Sequence, residues 1–119
     1  EFDRLSTPIA NAYIQPLMSD YLADFEDQFA QGGIACPILM MTAGGGMTTL
    51  ETAAALPIRL VESGPAGGAI LAARVARMAG ETDVLSFDMG GTTAKLCLID
   101  DYRPQTARRF EIARAERFI

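Results

Sequence analysis

Residues able to do chemistry crowd into one short run, Phe87-Asp-Met-Gly-Gly-Thr-Thr93. A carboxylate, two adjacent glycines and two adjacent hydroxyls, in that order, are the parts of a phosphate-binding bend. Bare backbone at Gly90 and Gly91 permits close approach and positive φ, so N–H groups there can reach phosphate oxygens without a Cβ intervening. Thr92 and Thr93 add hydroxyl donors. Each N–H or hydroxyl donated to an ionised oxygen is worth roughly 1.5–3 kcal/mol, against about 0.5–1.5 for a neutral pair. Three or four such donors would supply a substantial part of the binding of a nucleotide. A plain turn needs no acid at its strand end, and burying that acid without a metal or donors costs several kcal/mol. Asp88 is therefore the candidate catalytic residue and metal ligand. Magnesium is the matching ion, because it takes hard oxygen ligands, mostly water and phosphate, with one protein carboxylate nearby.

The elements that must hold this run are two apolar stretches, Val84–Phe87 and Leu96–Ile99, which predict a hairpin of buried strands. Lys95 opens the returning strand, and its side chain either reaches the phosphates or points to solvent. Two further glycine-rich loops accompany the hairpin. Gly44, Gly45 and Gly46 follow the apolar run Ile38–Met41, where backbone must come close to another chain segment or to a nucleotide or substrate; both readings fit the local pattern. Ser63 and Gly64, just before Pro65, open a helix whose free N–H groups and dipole make a second anion site, and ordinary capping by Ser63 accounts for the same residues. Neither a Walker A loop nor a Gly-x-Gly-x-x-Gly fingerprint is present.

Around these loops the pattern predicts helices and short strands. Thr7-Pro8 predicts a helix start, and Ile9, Tyr13, Leu17, Tyr21, Phe25 and Phe29 recur every four residues until Gly32-Gly33, with Ile14, Met18 and Leu22 widening the stripe. Pro16 should kink or interrupt that helix. Thr48 with Glu51 reads as a capping box opening a helix through Ala55, stopped by Pro57. Ile58–Val61 reads as an extended segment. The helix after Ser63 should face the core with Ile70 or Leu71, Val75 and Met78, and should end at Gly80. Asp100–Pro104 is a turn, and Phe110 with Ile112 alternate as a third antiparallel strand. The element order implies an α/β or α+β fold with a partly antiparallel, mixed sheet. The organisation expected is a helical lead-in over 1–33, a strand-loop-helix over 36–80 and the phosphate-loop hairpin with a third strand over 83–114, all belonging to one fragment of a larger domain.

Composition narrows the function further. The chain has 119 residues, half of them apolar, and a net charge of −5, so it can form a core and lacks the basic surplus of a nucleic-acid binder. The late arginines 108, 109, 114 and 117 alternate with Glu111 and Glu116 and read as a solvated face. With no histidine, Ser-His-Asp and Cys-His catalysis and histidine-bearing zinc sites are absent from this sequence. Cys36 and Cys97 lie in apolar runs and read as buried reduced thiols. No stretch approaches the ~20 apolar residues of a membrane span. A cytoplasmic protein without nucleic-acid or membrane partners is the expectation.

The motifs also match a family. Met41-Thr-Ala-Gly-Gly-Gly46, Pro57-Ile-Arg59, Ser63-Gly-Pro-Ala-Gly-Gly68 and Phe87-Asp-Met-Gly-Gly-Thr-Thr93 occur in that order at close intervals, behind Arg4-Leu-Ser-Thr7 and Asn11-Ala-Tyr13. This resembles the central part of the hydantoinase A, N-methylhydantoinase and 5-oxoprolinase family, and spans nearly the whole chain. The resemblance implies a partial ribonuclease H-like, actin-like ATPase fold that couples hydrolysis of magnesium-bound ATP to opening or carboxylating a cyclic amide or carbonyl compound, through a phosphorylated intermediate. Asp88 to Thr93 would be its second phosphate loop; remaining domains of the same chain and a second hydantoinase subunit would complete the enzyme. The relatives include ATP-using subunits of acetone carboxylases, and the wider superfold includes non-catalytic nucleotide-binding modules. Many members carry Ser-Thr-Asp after Gly-Gly-Thr, where this chain has Thr93-Ala-Lys95. That lysine removes a second acidic ligand and offers a positive charge to phosphate instead.

Overall fold

The computed structural model describes residues 2–91 and 93–107. In chain order these form α1 (Phe2–Gln31), β1 (Leu39–Met41), β2 (Met47–Thr49), α2 (Leu50–Ala55), a single 3₁₀ turn (Pro57–Leu60), α3 (Ser63–Ala79), β3 (Asp83–Met89), β4 (Ala94–Asp100) and β5 (Arg103–Pro104). The architecture is mixed α and β, with two small sheets, β1-β2 and β3-β4-β5. Both are purely antiparallel among the described residues, which corrects the expectation of a mixed sheet. The chain divides into two compact units, Glu1–Gly67 and Gly68–Ile119. Phe110, Ile112 and the late arginines lie outside the described residues.

In the first unit α1 begins ahead of Thr7-Pro8 and runs unbroken through both Pro8 and Pro16. A proline inside a helix costs about 3 kcal/mol, and side chains on both sides of Pro16 tie this helix down. Asn11 and Gln15 donate to the Ala55 carbonyl at 3.2 and 3.3 Å, and Ser19 donates to that of Ala54 at 3.4 Å. These bonds also satisfy carbonyls that the end of α2 leaves open. The packed face carries Asn11, Ile14, Gln15, Met18 and buried Leu22, whereas Ile9, Tyr13, Leu17 and Tyr21 are exposed. Geometry explains the correction: each four-residue step advances the side chain about 40° around the axis, so a strict four-step row is not one face. The same row reaches the half-buried side only at Phe25 and Phe29, whose rings lie 4.5 Å apart.

The second helix starts one residue later than the sequence pattern implies. Thr48 belongs to β2, opposite Met40, and Thr49 is the cap, its hydroxyl accepting from Thr52 N–H at 3.3 Å. Glu51 then stands too near the cap to complete a capping box. In the full-length protein, Thr49→Ala should weaken α2 by about 1 kcal/mol, read as roughly fivefold faster hydrogen exchange at the Thr52 amide. Thr48→Ala should leave that amide unchanged. Pro57, fully buried, opens a 3₁₀ turn instead of an extended segment, because its ring fixes φ near the helical value.

In the second unit β3 and β4 pair from Asp83↔Asp100 to Met89↔Ala94, the hairpin expected, but its strands are not buried on both faces as expected: Leu85, Phe87, Leu96 and Leu98 are exposed. A two-residue turn, Asp101 (φ 45°) and Tyr102 (φ 62°), returns the chain into β5. The Arg77 guanidinium lies 5.1 Å from the centroid of the Tyr102 ring. The buried face of α3 is its alanine row, Ala69, Ala73 and Ala76, while Ile70, Leu71, Val75 and Met78 are exposed. Small side chains let a helix approach closely, and that row, not the large residues, marks the packed side. Cys36 is exposed and Cys97 half-buried, both free thiols, so only Cys97 approaches the buried setting expected.

Candidate functional site

Alternation along the hairpin sorts its residues into two faces. Val84, Ser86 and Asp88 on β3, with Lys95, Cys97 and Ile99 on β4, share a half-buried to buried face. Leu85, Phe87, Met89, Leu96 and Leu98 occupy the other, exposed face. The strand pairing sets Asp88 directly opposite Lys95. Residues opposed in this way have Cβ atoms roughly 4.5–5.5 Å apart, within reach of each other's charge. Lys95 therefore lies on the face of the acid and is half-buried.

The bend between the strands is short. Gly90 N–H donates to the Thr93 carbonyl at 3.0 Å. Thr92 lies outside the described residues. Neither Gly90 nor Gly91 adopts positive φ, so left-handed backbone is not what requires glycine here. A Cβ built on Gly91 meets nothing within 4 Å, and one on Gly90 meets the Thr93 carbonyl oxygen at 3.9 Å. The internal packing of the hairpin leaves room for a side chain at Gly91, so its absence keeps the backbone open to something approaching from outside.

The other two glycine loops belong to the first unit. The apolar run before Gly44 leads into a tight hairpin rather than an open loop: Gly45 N–H donates to the Thr42 carbonyl at 2.9 Å, and Thr42 N–H to the Gly46 carbonyl at 2.8 Å. The Thr42 hydroxyl donates to that same carbonyl at 3.0 Å, a role invisible in the glycine pattern. Gly45 has φ +81° and is the one glycine of this turn whose backbone demands it. Ser63 does not cap α3. The first helical bond runs from Ala66 N–H to the Glu62 carbonyl, which puts Glu62, at φ 65°, in the cap position. A Cβ on Gly64 meets nothing within 4 Å, whereas one on Gly67 would touch the Met41 side chain at 3.7 Å. Gly67 of α3 thus lies against Met41 of β1 within the first unit, and no contact joins Ser63 or Gly64 to the Gly44–Gly46 turn among the described residues; Asp88 and the 90–93 bend belong to the other unit.

A profile of the hydantoinase/oxoprolinase family matches residues 4–117. The chain belongs to that family. Among its relatives is an uncharacterised protein of Methanocaldococcus jannaschii, 38% identical over 112 residues, which cover 94% of this chain and 16% of that protein. Another is caprolactamase subunit alpha of Pseudomonas jessenii, 30% identical over 98 residues, covering 82% of this chain and 14% of the relative. The chain thus spans about a sixth of the length of the first of these relatives and about a seventh of the second.

Among the described residues no three His, Cys, Asp or Glu side chains gather to hold a metal ion. Magnesium favours water and phosphate ligands beside one or two carboxylates over an all-protein cage. The half-buried carboxylate and the uncrowded Gly91 fit that group. No helix among the described residues is long and apolar enough to cross a membrane.

Proposed function

We propose that the full-length protein is an ATP-dependent hydrolase that opens a cyclic amide, with the 84–99 hairpin as a phosphate loop of an actin-like ATPase core. The observation that carries this reading is the Asp88–Lys95 pairing at the mouth of a bend whose glycine has open space above it. Asp88 holds magnesium, and the Gly91 backbone N–H donates to a phosphate oxygen, the Gly90 N–H being held by the Thr93 carbonyl. Lys95, on the same face, neutralises phosphate charge without a second acid to repel it. ATP, when bound, supplies the phosphoryl group that makes an unreactive amide carbonyl open to attack. The family and the name of the Pseudomonas jessenii relative favour a ring amide of the hydantoin, 5-oxoproline or lactam type over a ketone. The word "subunit" in that name supports a second polypeptide in the working enzyme.

The test is phosphate release by the purified full-length protein, with and without its partner subunit, in the presence of hydantoin, 5-oxoproline, ε-caprolactam, or acetone with bicarbonate. The expected result is ATP hydrolysis matched mole for mole by opening of one of the rings. Stimulation by the ketone alone, or ring opening that proceeds without ATP, would overturn the assignment.

A further inference from the structure

The half-buried face of the hairpin changes character along its length. At one end Val84 opposes Ile99, which is fully buried. Next along the strands Ser86 opposes Cys97, and beyond them Asp88 opposes Lys95, all four half-buried. Ser86 is the member of this polar group that nothing yet explains. A hydroxyl partly withdrawn from water in the middle of a seven-residue strand costs free energy unless it finds a hydrogen bond. Cys97 does not supply one, because its thiol donates to the Leu98 and Gln105 carbonyls at 3.5 and 3.6 Å. Gln105 follows β5, on the opposite flank of β4 from Ser86. Among the described residues neither the Ser86 hydroxyl nor the Asp88 carboxylate has a hydrogen-bonding partner, and no unpartnered side-chain oxygen is sealed from solvent. Both groups are open to a ligand arriving on this face.

Ser86 and Asp88 are two residues apart on one strand, so their side chains leave the same face roughly 6.5 Å from each other. That span is too long for a direct bond and leaves room for an ion with its bound water. Magnesium keeps several waters in a strict octahedron, and such waters are strong hydrogen-bond donors. We propose that Ser86 is a positioning residue for magnesium, its hydroxyl accepting a hydrogen bond from a water of the ion that Asp88 holds. The proposal rests on the Mg-ATP reading above and lies wholly within the second unit. It gives the strand a second point of contact with the ion's hydration shell, beyond the carboxylate itself.

Calorimetric titration of the full-length protein with ATP, once in excess magnesium and once in EDTA, gives the factor by which magnesium tightens nucleotide binding. Removing an outer-shell partner typically costs about 10–100-fold in metal affinity, so Ser86→Ala should lower that factor about tenfold while the Kd for metal-free ATP stays within about twofold. Ser86→Thr keeps a hydroxyl on a strand-favouring side chain and should hold the factor within about threefold of wild type. Cys97→Ser, at the opposing position on the same face, should leave it unchanged. In the Asp88→Asn protein, Ser86→Ala should have no further effect, because the ion through which it acts is no longer held. The inference is overturned if Ser86→Ala keeps the wild-type factor, or if Ser86→Thr loses as much as Ser86→Ala. Equal weakening of ATP with and without magnesium, the mark of a general packing defect, also overturns it. Wild-type protein that binds no ATP in either condition overturns the ATP reading itself, whereas magnesium-tightened binding that Ser86→Ala leaves intact overturns this inference alone.

Discussion

Asp88→Asn in the full-length enzyme is expected to lower ATP turnover roughly 100- to 1,000-fold, the usual penalty for removing one group that stabilises transferring charge. The substitution keeps the shape of the side chain and removes its charge. Asp88 is half-buried opposite Lys95, so the neutral amide leaves the lysine facing phosphate without the ion it should share the site with. The magnesium concentration needed for half-maximal rate should rise, and added magnesium should not restore kcat. Steady-state rates across a magnesium series check this. An unchanged kcat and an unchanged magnesium requirement would remove Asp88 from the mechanism.

Gly91→Ala should separate stability from function. Its Cβ would enter open space, and its backbone does not use positive φ. Replacing glycine at such a position commonly stabilises a fold by about 0.4–1 kcal/mol, because the unfolded chain loses freedom. The melting temperature should therefore hold or rise. Affinity for Mg-ATP should nonetheless fall, by about tenfold to a hundredfold if one charge-assisted backbone contact to phosphate is lost. Thermal unfolding and calorimetric titration on the same preparation give both numbers. A protein that is destabilised while binding nucleotide normally would show that the glycine serves packing alone. Gly90→Ala is the less clean variant, since its Cβ would touch the Thr93 carbonyl oxygen at 3.9 Å.

The hairpin was legible in the sequence because two apolar runs flank a glycine turn, although one apolar face of its strands is exposed and not buried as those runs implied. Its register could not be read from composition, yet register is what sets Lys95 opposite Asp88. Helix existence was equally legible, and helix faces were not. The row from Ile9 to Phe29 follows a four-residue step that drifts around α1, and the polar row Asn11, Gln15, Ser19 identifies the packed side. That row was the missed signal, since polar side chains at a four-residue spacing can bond one neighbouring segment, here the Ala54 and Ala55 carbonyls. On α3 the large residues misled for a related reason: the helix buries its alanines. The sequence pattern put the cap at Thr48, but Thr48 pairs with Met40 in β2 and Thr49 caps the helix instead. The glycine runs were visible as loops, but their separate demands were not. Gly45 is required by its φ, whereas among the described residues no neighbour closer than 3.8 Å and no positive φ requires glycine at 44, 46 or 91. The family was legible from the order of the motifs, and the profile match over residues 4–117 bears it out.

The central claim is that Mg-ATP lands on the bend between β3 and β4. Hydrogen-exchange mass spectrometry of the full-length protein, with and without saturating Mg-ATP, reads this at peptide resolution. Slower exchange across the 88–95 segment, absent in the Asp88→Asn protein, is the expected result. Nucleotide binding that leaves that segment unchanged would contradict it.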